Sequence, residues 1–315
     1  MRVVFWGTPR LAIQYLSPLA DRHKIVGVVT QPDRPKGRHH KLSAPPVKEE
    51  AVKLGLPVLQ PEDLRGCEFQ EQLRQWAADV FVVVAYGRIL PPSIIEMPKQ
   101  AAVNVHYSLL PQLRGAAPVQ RALLQGLTET GVTVQNIARE LDAGDIILQR
   151  SIPIEPDDNT ATLTQRLTEV GVPLLLEALE LIASGEVTGR PQDHAAATYA
   201  PPLSKEDGNI DWCRPAQDIV NQIRACYPWP GSVCWLGDRR IKITSARPIT
   251  QTDLEEGDCG QITEIRPEEG FVVQAKPGGV LVTRLQAAGR REMPAADFAR
   301  GARLNKGARF ESVDV

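Results

Sequence analysis

Residues 79–87 read DVFVVVAYG. Val80, Phe81, Val82, Val83 and Val84 form an unbroken run of β-branched and aromatic side chains, the residue types that fit a pleated, extended backbone. Asp79 and Gly87 bound the run, and it is far shorter than the roughly 20 residues a helix needs to cross a bilayer. Successive strand side chains point to opposite faces, so a run that is apolar at every position is buried on both. Burial on both faces is the condition of a parallel sheet covered by helices on either side. The stretch therefore predicts the central strand of an α/β domain.

The chain on either side has the same character. Before it come RVVFWG at 2–7 and KIVGVVT at 24–30, two further apolar strands. RLAIQYLSPLA at 10–20 lies between them and reads as a helix, with Pro9 at its start as helix starts tolerate. Helical patterns begin at Pro46 and Glu68. After the central run come the strands AAVNVH at 101–106, TGVTVQNI at 130–137 and GDIILQRSIPI at 144–154. Residues 161–184 give the longest helix, with apolar residues at helical spacing. The turn FWGTP at 5–9 is neither G-x-G-x-x-G nor a Walker motif. It reads as a tight strand-to-helix turn, and no dinucleotide or ATP is expected.

Beyond residue 188 the pattern changes. Residues 189–212 are rich in Pro, Ala and polar side chains without a sustained period, as in a linker. A helix is expected over 214–224. After it come SVCWL, RRIKITSA, GQITEI, FVVQAK and GVLVTRLQ, short strands at turn-like spacing that suggest a small all-β barrel or sandwich. The expected division is 1–188, a linker at 189–206, and 207–315.

The 315 residues suffice for two cores, and 43% hydrophobic with 23% charged residues is the balance of a soluble globular protein. A net charge of −2 gives no global pull towards nucleic acid, so any such contact must come from local patches. The cysteines at 67, 213, 226, 234 and 259 form no C-x-x-C pair, which argues against a structural zinc. Their scatter suits a reducing cytoplasm. The apolar start VVFWG is too short for a secretory signal. The expectation is a cytoplasmic protein, with no membrane contact, no metal, and nothing that obliges more than a monomer.

Chemistry concentrates where AAVNVH ends. Alternation puts Asn104 and His106 on one face, close to the strand's end, and open α/β sheets build their sites at such ends. A buried, hydrogen-bonded polar pair is one reading. Catalysis is the other, and the acidic loop ELDAGD at 140–145 favours it. An Asn amide can donate to a developing oxyanion. A His can carry protons near neutral pH, and a carboxylate such as Asp142 can stabilise its imidazolium. Two basic segments add to this. QPDRPKGRHHKLSAPPV at 31–47 carries Arg34, Lys36, Arg38 and Lys41; it is either a solvated loop or an arm that grips phosphates. Arg239, Arg240 and Lys242, with Arg284, Arg290, Arg291, Arg300, Arg303, Lys306 and Arg309, mark the last domain as either a nucleic-acid platform or a solubilising surface.

NVHYSLLPQLRGAAPVQRAL at 104–123 resembles the signature of the 10-formyltetrahydrofolate-dependent formyltransferases, in which Asn-x-His is followed by Ser-Leu-Leu-Pro and later by a Leu-Asp-x-Gly loop. Here that loop is Leu141-Asp142-Ala143-Gly144. TQPDRPKGR from Thr30, VVAYGRILP from Val83, RGAAPVQR from Arg114, LSKEDGNIDW from Leu203 and YPWPGS from Tyr227 extend the similarity over essentially the whole chain. They direct it to the branch that formylates methionyl initiator tRNA. The resemblance implies a Rossmann-like formyltransferase domain with a mostly parallel sheet, followed by a small OB-like barrel that holds tRNA. It implies Asn104, His106 and Asp142 as catalytic residues. It implies 10-formyltetrahydrofolate as co-substrate, seated on Arg88, Ile89, Leu90, Ser108, Leu109, Leu110 and Pro111. Arg34, Lys36, Arg38, Lys41, Arg239, Arg240 and Arg303 become tRNA contacts, with Arg38 leading. A bacterial or organellar setting follows. Tyr107, where the family often has Gly, is a departure able to alter the pocket wall; Leu11, where an aromatic is common, matters less. A sugar-nucleotide N-formyltransferase and a non-catalytic RNA-binding relative are the competing readings.

Overall fold

Residues 80–84 form a strand in the middle of a seven-stranded sheet. The structure, a computed structural model, describes residues 1–36, 41–186, 189–250 and 257–312, with only the backbone at Lys36 and Lys41. The chain divides into two units. One comprises 1–118, 130–152 and 165–200; the other comprises 119–129, 153–164 and 201–315.

In chain order the first elements are β1 (Arg2–Gly7), α1 (Arg10–Arg22), β2 (Lys24–Val29), β3 (Arg34–Lys36), β4 (Lys41–Ser43), α2 (Pro46–Lys53), β5 (Val58–Leu59) and α3 (Cys67–Gln75). Then follow β6 (Val80–Val84), α4 (Pro92–Ile95), β7 (Ala101–His106), α5 (Pro118–Leu124), β8 (Glu129–Asn136), β9 (Ile146–Pro153) and α6 (Thr160–Ser184). The sheet order is β5-β2-β1-β6-β7-β8-β9. Pairing is parallel from β5 through β7, and β8 turns antiparallel to β7. The strand order reverses direction between β1 and β6, and in open α/β sheets ligands bind outside the carboxyl ends of the strands at such a point.

The carboxyl ends are tied together there. Thr8 donates its hydroxyl to the Tyr86 carbonyl at 2.8 Å, and the Gln31 amide donates to the same oxygen at 3.0 Å. Gly87 closes the turn with φ +84, where a Cβ would press on the Gln31 amide. Behind these ends Trp6 packs edge-on against Tyr86 at 5.2 Å, in a core with Phe69, Phe81, Leu90 and Ile94. The run that is apolar at every position is buried at every position of β6, as coverage of both faces requires.

At the amino end of the sheet the Arg2 backbone N–H donates to Asp79 Oδ2 at 2.7 Å, and Lys99 donates to Oδ1 at 3.2 Å. The backbone donor first, then Lys99, holds the Asp79 carboxyl below its usual range. A carboxyl lowered in the folded state adds stability above its unfolded value and loses it as pH falls through the folded one. Asp79→Asn should therefore cost about 1 kcal/mol near neutrality, the size of one hydrogen bond to a partly exposed group. Denaturant melts of the two proteins should converge in acid; a gap that persists below pH 2 would refute this.

In the second unit α7 (Ala216–Cys226), β10 (Ser232–Leu236), β11 (Arg239–Ile249), β12 (Ile262–Arg266), β13 (Gly270–Gln274), β14 (Gly279–Ala287), β15 (Met293–Pro294), α8 (Ala295–Ala302) and β16 (Phe310–Glu311) follow in order. The sheet runs β12-β13-β14-β11-β10-β16 with β15 on β14, every pairing antiparallel. It curls until its outer strands meet: Gln261 bridges Arg309, and Ile262 N–H donates to the Ala308 carbonyl at 2.7 Å. This barrel-like curl encloses Trp212, Phe271 and Phe310, with Ile219, Val220 and Ile223 of α7 packed on them. A disulfide joins Cys213 to Cys259, two cysteines that sequence spacing alone does not pair. Among the described residues no helix is long and apolar enough to cross a membrane.

Candidate active site

Strand register assembles the site. β6 sets Val83 beside Asn104, and β8 sets Gln135 beside Asn104 and Thr133 beside His106. His106 is 6% exposed. Its Nε2 lies 2.9 Å from the Leu113 carbonyl. A carbonyl can only accept, so Nε2 carries a proton and the lone pair of the neutral ring is on Nδ1. Nδ1 is 3.7 Å from Asp142 Oδ2. The structure brings Asn104, His106 and Asp142, the three residues the sequence singles out, to one place.

The Leu113 carbonyl reaches the ring because the chain after β7 doubles back. Ser108 donates to the Gln112 carbonyl at 2.6 Å, Thr133 donates to the Ser108 carbonyl at 2.6 Å, and Leu113 takes φ +58. Asp142 sits at φ +50. Left-handed backbone at residues other than Gly costs about 1–3 kcal/mol each and persists where surroundings over-determine it.

Several donors hold the Asp142 carboxylate. Gly115 N–H donates to Oδ2 at 2.9 Å, and the Gln135 amide donates to Oδ1 at 3.1 Å. Asn104 donates one N–H to Oδ1 at a long 3.4 Å, and its second N–H has no partner among the described residues. A carboxylate, an imidazole lone pair and an amide donor thus converge at the carboxyl end of β7. Such a set can take up a proton on Nδ1, pair the resulting charge with Asp142, and donate to an oxygen that gains negative charge.

The segment 190–200, which the sequence reads as linker, is built into this unit. Arg190 and Ile146 exchange backbone hydrogen bonds at 2.8 and 2.9 Å, and Arg114 N–H donates to the Thr198 carbonyl at 2.9 Å. Gln192 and Arg114 are 6% and 3% exposed. Arg114 Nη2 and Nε donate to Gln192 Oε1 at 2.7 and 3.1 Å. Gln192 Nε2 faces the Gly144 carbonyl at 2.6 Å, the Asp142 carbonyl at 2.9 Å and Gln135 Oε1 at 3.1 Å. Sequence reading missed Gln135 and Gln192; a lone amide in a strand or a Pro-rich stretch carries no period.

Gly144 explains the glycine of the Leu-Asp-x-Gly loop. A Cβ there would collide with the Asn136 carbonyl, the residue whose N–H bonds Asp145. Gly144→Ala should destabilise by roughly 1–3 kcal/mol, the usual cost of overpacking, and shift the Asp142 loop. A thermal melt matching the parent chain would contradict that close approach.

The expected folate residues fall into two groups. Ile89 is 73% exposed, an apolar side chain beside the strand ends. Arg88 donates to the Pro61 and Glu62 carbonyls at 3.0 and 2.9 Å, so its guanidinium braces the turn. Leu109 and Pro111 are half-buried, whereas Ser108, Leu90 and Leu110 are packed inside at 0%, 6% and 2% exposure. Tyr107 does not wall this side. It follows β7's alternation onto the opposite face, where its buried hydroxyl bonds Thr168 at 2.7 Å and Tyr15 at 2.9 Å. Burial pushes its phenol up to about 12.

Of the basic residues, Arg34 lies on the β3–β4 hairpin and donates to Gln31 at 3.1 Å. Lys36 and Lys41 are paired backbone positions of that hairpin, and Arg38 lies outside the described residues. Arg239 and Arg240 are exposed on β11, and Arg303 is exposed at the end of α8. Arg284 and Arg300 pair with Glu292 and Asp297, so part of the basic bias is neutralised locally. Among the described residues no group of His, Cys, Asp and Glu could hold a metal ion.

The chain belongs to the formyl transferase family: the formyl transferase profile matches residues 1–179, and the formyl transferase C-terminal domain matches 202–303. Within the family it is 49% identical over 302 residues to the methionyl-tRNA formyltransferase of Moorella thermoacetica, covering 96% of each chain. To that of a Sulfurihydrogenibium species it is 43% identical over 313 residues, covering 99% of this chain and 100% of the other. Solved structures share the fold. HypX from Aquifex aeolicus in complex with tetrahydrofolic acid superposes with a TM-score of 0.65 at 20% identity, over 95% of this chain and 47% of that one. WlaRD, a sugar 3N-formyl transferase, gives 0.65 at 18% identity, over 92% and 99%.

Proposed function

We propose that the chain transfers the formyl group of 10-formyltetrahydrofolate to the α-amine of methionyl initiator tRNA. The observation that carries the reading is the meeting of the Asn104 amide, His106 Nδ1 and the Asp142 carboxylate at one strand end. Identity of 43–49% across both units to methionyl-tRNA formyltransferases favours tRNA over a sugar nucleotide as acceptor.

The neutral amine attacks the formyl carbon, a new C–N bond forms, and the bond from that carbon to the folate nitrogen breaks. Asn104 donates to the formyl oxygen as it gains charge. His106 Nδ1 takes the proton the amine loses and delivers it to the departing nitrogen, with Asp142 steadying the charged ring. Ile89, Leu109 and Pro111 contact the folate, with Leu90, Ser108 and Leu110 packed behind and Arg88 bracing the turn. Arg34, Lys36, Arg38 and Lys41, and in the second unit Arg239, Arg240 and Arg303, meet tRNA phosphates. Residues 1–188 carry the chemistry together with the 190–200 segment built into the same unit, and 207–315 hold tRNA. The reading implies a cytoplasmic reaction and asks for neither a metal nor a second copy of the chain.

The test is a formylation assay with 10-formyltetrahydrofolate and three acceptors: charged initiator tRNA, charged elongator tRNA and an amino-sugar nucleotide. Formylation of the initiator alone is expected. Formylation of the sugar, or of nothing, would overturn the proposed acceptor.

A further inference from the structure

Three donors and a φ of +50 fix Asp142, and the constraint leads back to a buried charge. Arg114 has only donors, so it fixes which end of the Gln192 amide faces it: Oε1 accepts from Arg114. The NH2 end must then face the carbonyls of Asp142 and Gly144 and the Oε1 of Gln135. Gln135 is oriented in turn, and its NH2 donates to Asp142 Oδ1. The two N–H groups of Gln192 are shared among three acceptors, most closely the Gly144 and Asp142 carbonyls at 2.6 and 2.9 Å and then Gln135 Oε1 at 3.1 Å, so Arg114 orients the Asp142 loop through its backbone and, less directly, through Gln135. The same NH2 group ties down the backbone on both sides of Ala143, in the loop whose φ +50 residue is Asp142.

We infer that Gln192 is a positioning residue for formyl transfer, holding Asp142 in register with His106 by linking it to the buried Arg114. The inference rests on the formyl-transfer reading. It makes the 189–200 segment a component of the site rather than a tether. Gln192 touches no reacting atom; its effect passes entirely through Asp142 and the loop that carries it.

Two variants separate its arms. Gln192→Glu keeps the shape and an acceptor for Arg114 and loses the donors towards Asp142, Gly144 and Gln135. Gln192→Met loses both arms and takes from Arg114 its close acceptor, leaving its guanidinium only His194 Nδ1 at 3.5 Å. Displacing a reacting group by about 1 Å can cost about 10²-fold, so both variants should lower kcat by about 10²-fold. The KM for tRNA and for folate should stay within about twofold, because nothing that binds substrate has changed. In an Asp142→Asn background either variant should add less than about threefold, since residues acting as one unit are non-additive. Gln192→Glu turning over within about threefold of the parent would overturn the inference, as would a loss carried by KM or one that multiplies with Asp142→Asn. A parent chain that formylates nothing would remove the function and this inference together. An active parent with an active Gln192→Glu removes the inference alone.

Discussion

Asn104→Ala should lower kcat by about 10²–10³-fold, the effect of removing one oxyanion donor. The structure says why the loss should fall on the transition state. Asn104 holds Asp142 through a single long bond of 3.4 Å, so its amide contributes little to the ground-state network, which Gly115 and Gln135 support with shorter bonds. Its second N–H is kept for a partner that the resting protein lacks among the described residues. Interactions made only in the transition state lower kcat and kcat/KM equally when removed. Melting behaviour should stay near that of the parent chain, because the residue is half-buried and its one bond is weak. Asn104→Asp is the companion: it preserves shape and replaces the donor with an acceptor, and it should do no better. Near-parental turnover of either variant would end the oxyanion assignment.

What the sequence reveals here depends on range. The β6 run could be read because burial on both faces leaves an unbroken apolar string, and the Asn104 and His106 pair could be read because alternation is a local rule. The helix at Thr160–Ser184 and the barrel strands follow from periods of the same kind. The β3–β4 hairpin, α5, α8 and β16 escape because they are short and rich in Pro, Ala or charge, with too few turns for a period to register. Gln135 and Gln192 escape for another reason. Their roles are set by strand register and by a crossing of segments 57 residues apart, which no local pattern encodes. The loop geometry around Leu113 belongs to the same class: nothing in QLRG announces that a leucine will take φ +58 so that its carbonyl can meet an imidazole. Tyr107 shows the converse. Its place in a motif suggests a pocket residue, yet alternation alone already sends it to the other face.

That carbonyl makes His106 testable in a way most proton carriers are not. The ring does two separable things: Nε2–H satisfies the Leu113 carbonyl, and Nδ1 faces Asp142 across 3.7 Å. Alanine at 106 removes both. It leaves a buried carbonyl without its donor, a loss of about 1–3 kcal/mol, so reduced turnover could be blamed on the fold. Glutamine is more discriminating. Its amide N–H extends about as far as Nε2 and can keep the bond to Leu113, but an amide carries no proton near neutral pH. His106→Gln is therefore expected to melt close to the parent and yet lose about 10²–10⁴ in kcat, the range for a general acid–base group. His106→Ala should match that kinetic loss and melt lower as well. If His106→Gln kept a tenth or more of the parental kcat, the ring would be a scaffold for the Leu113 turn, and the proton would have to travel by way of Asp142 instead.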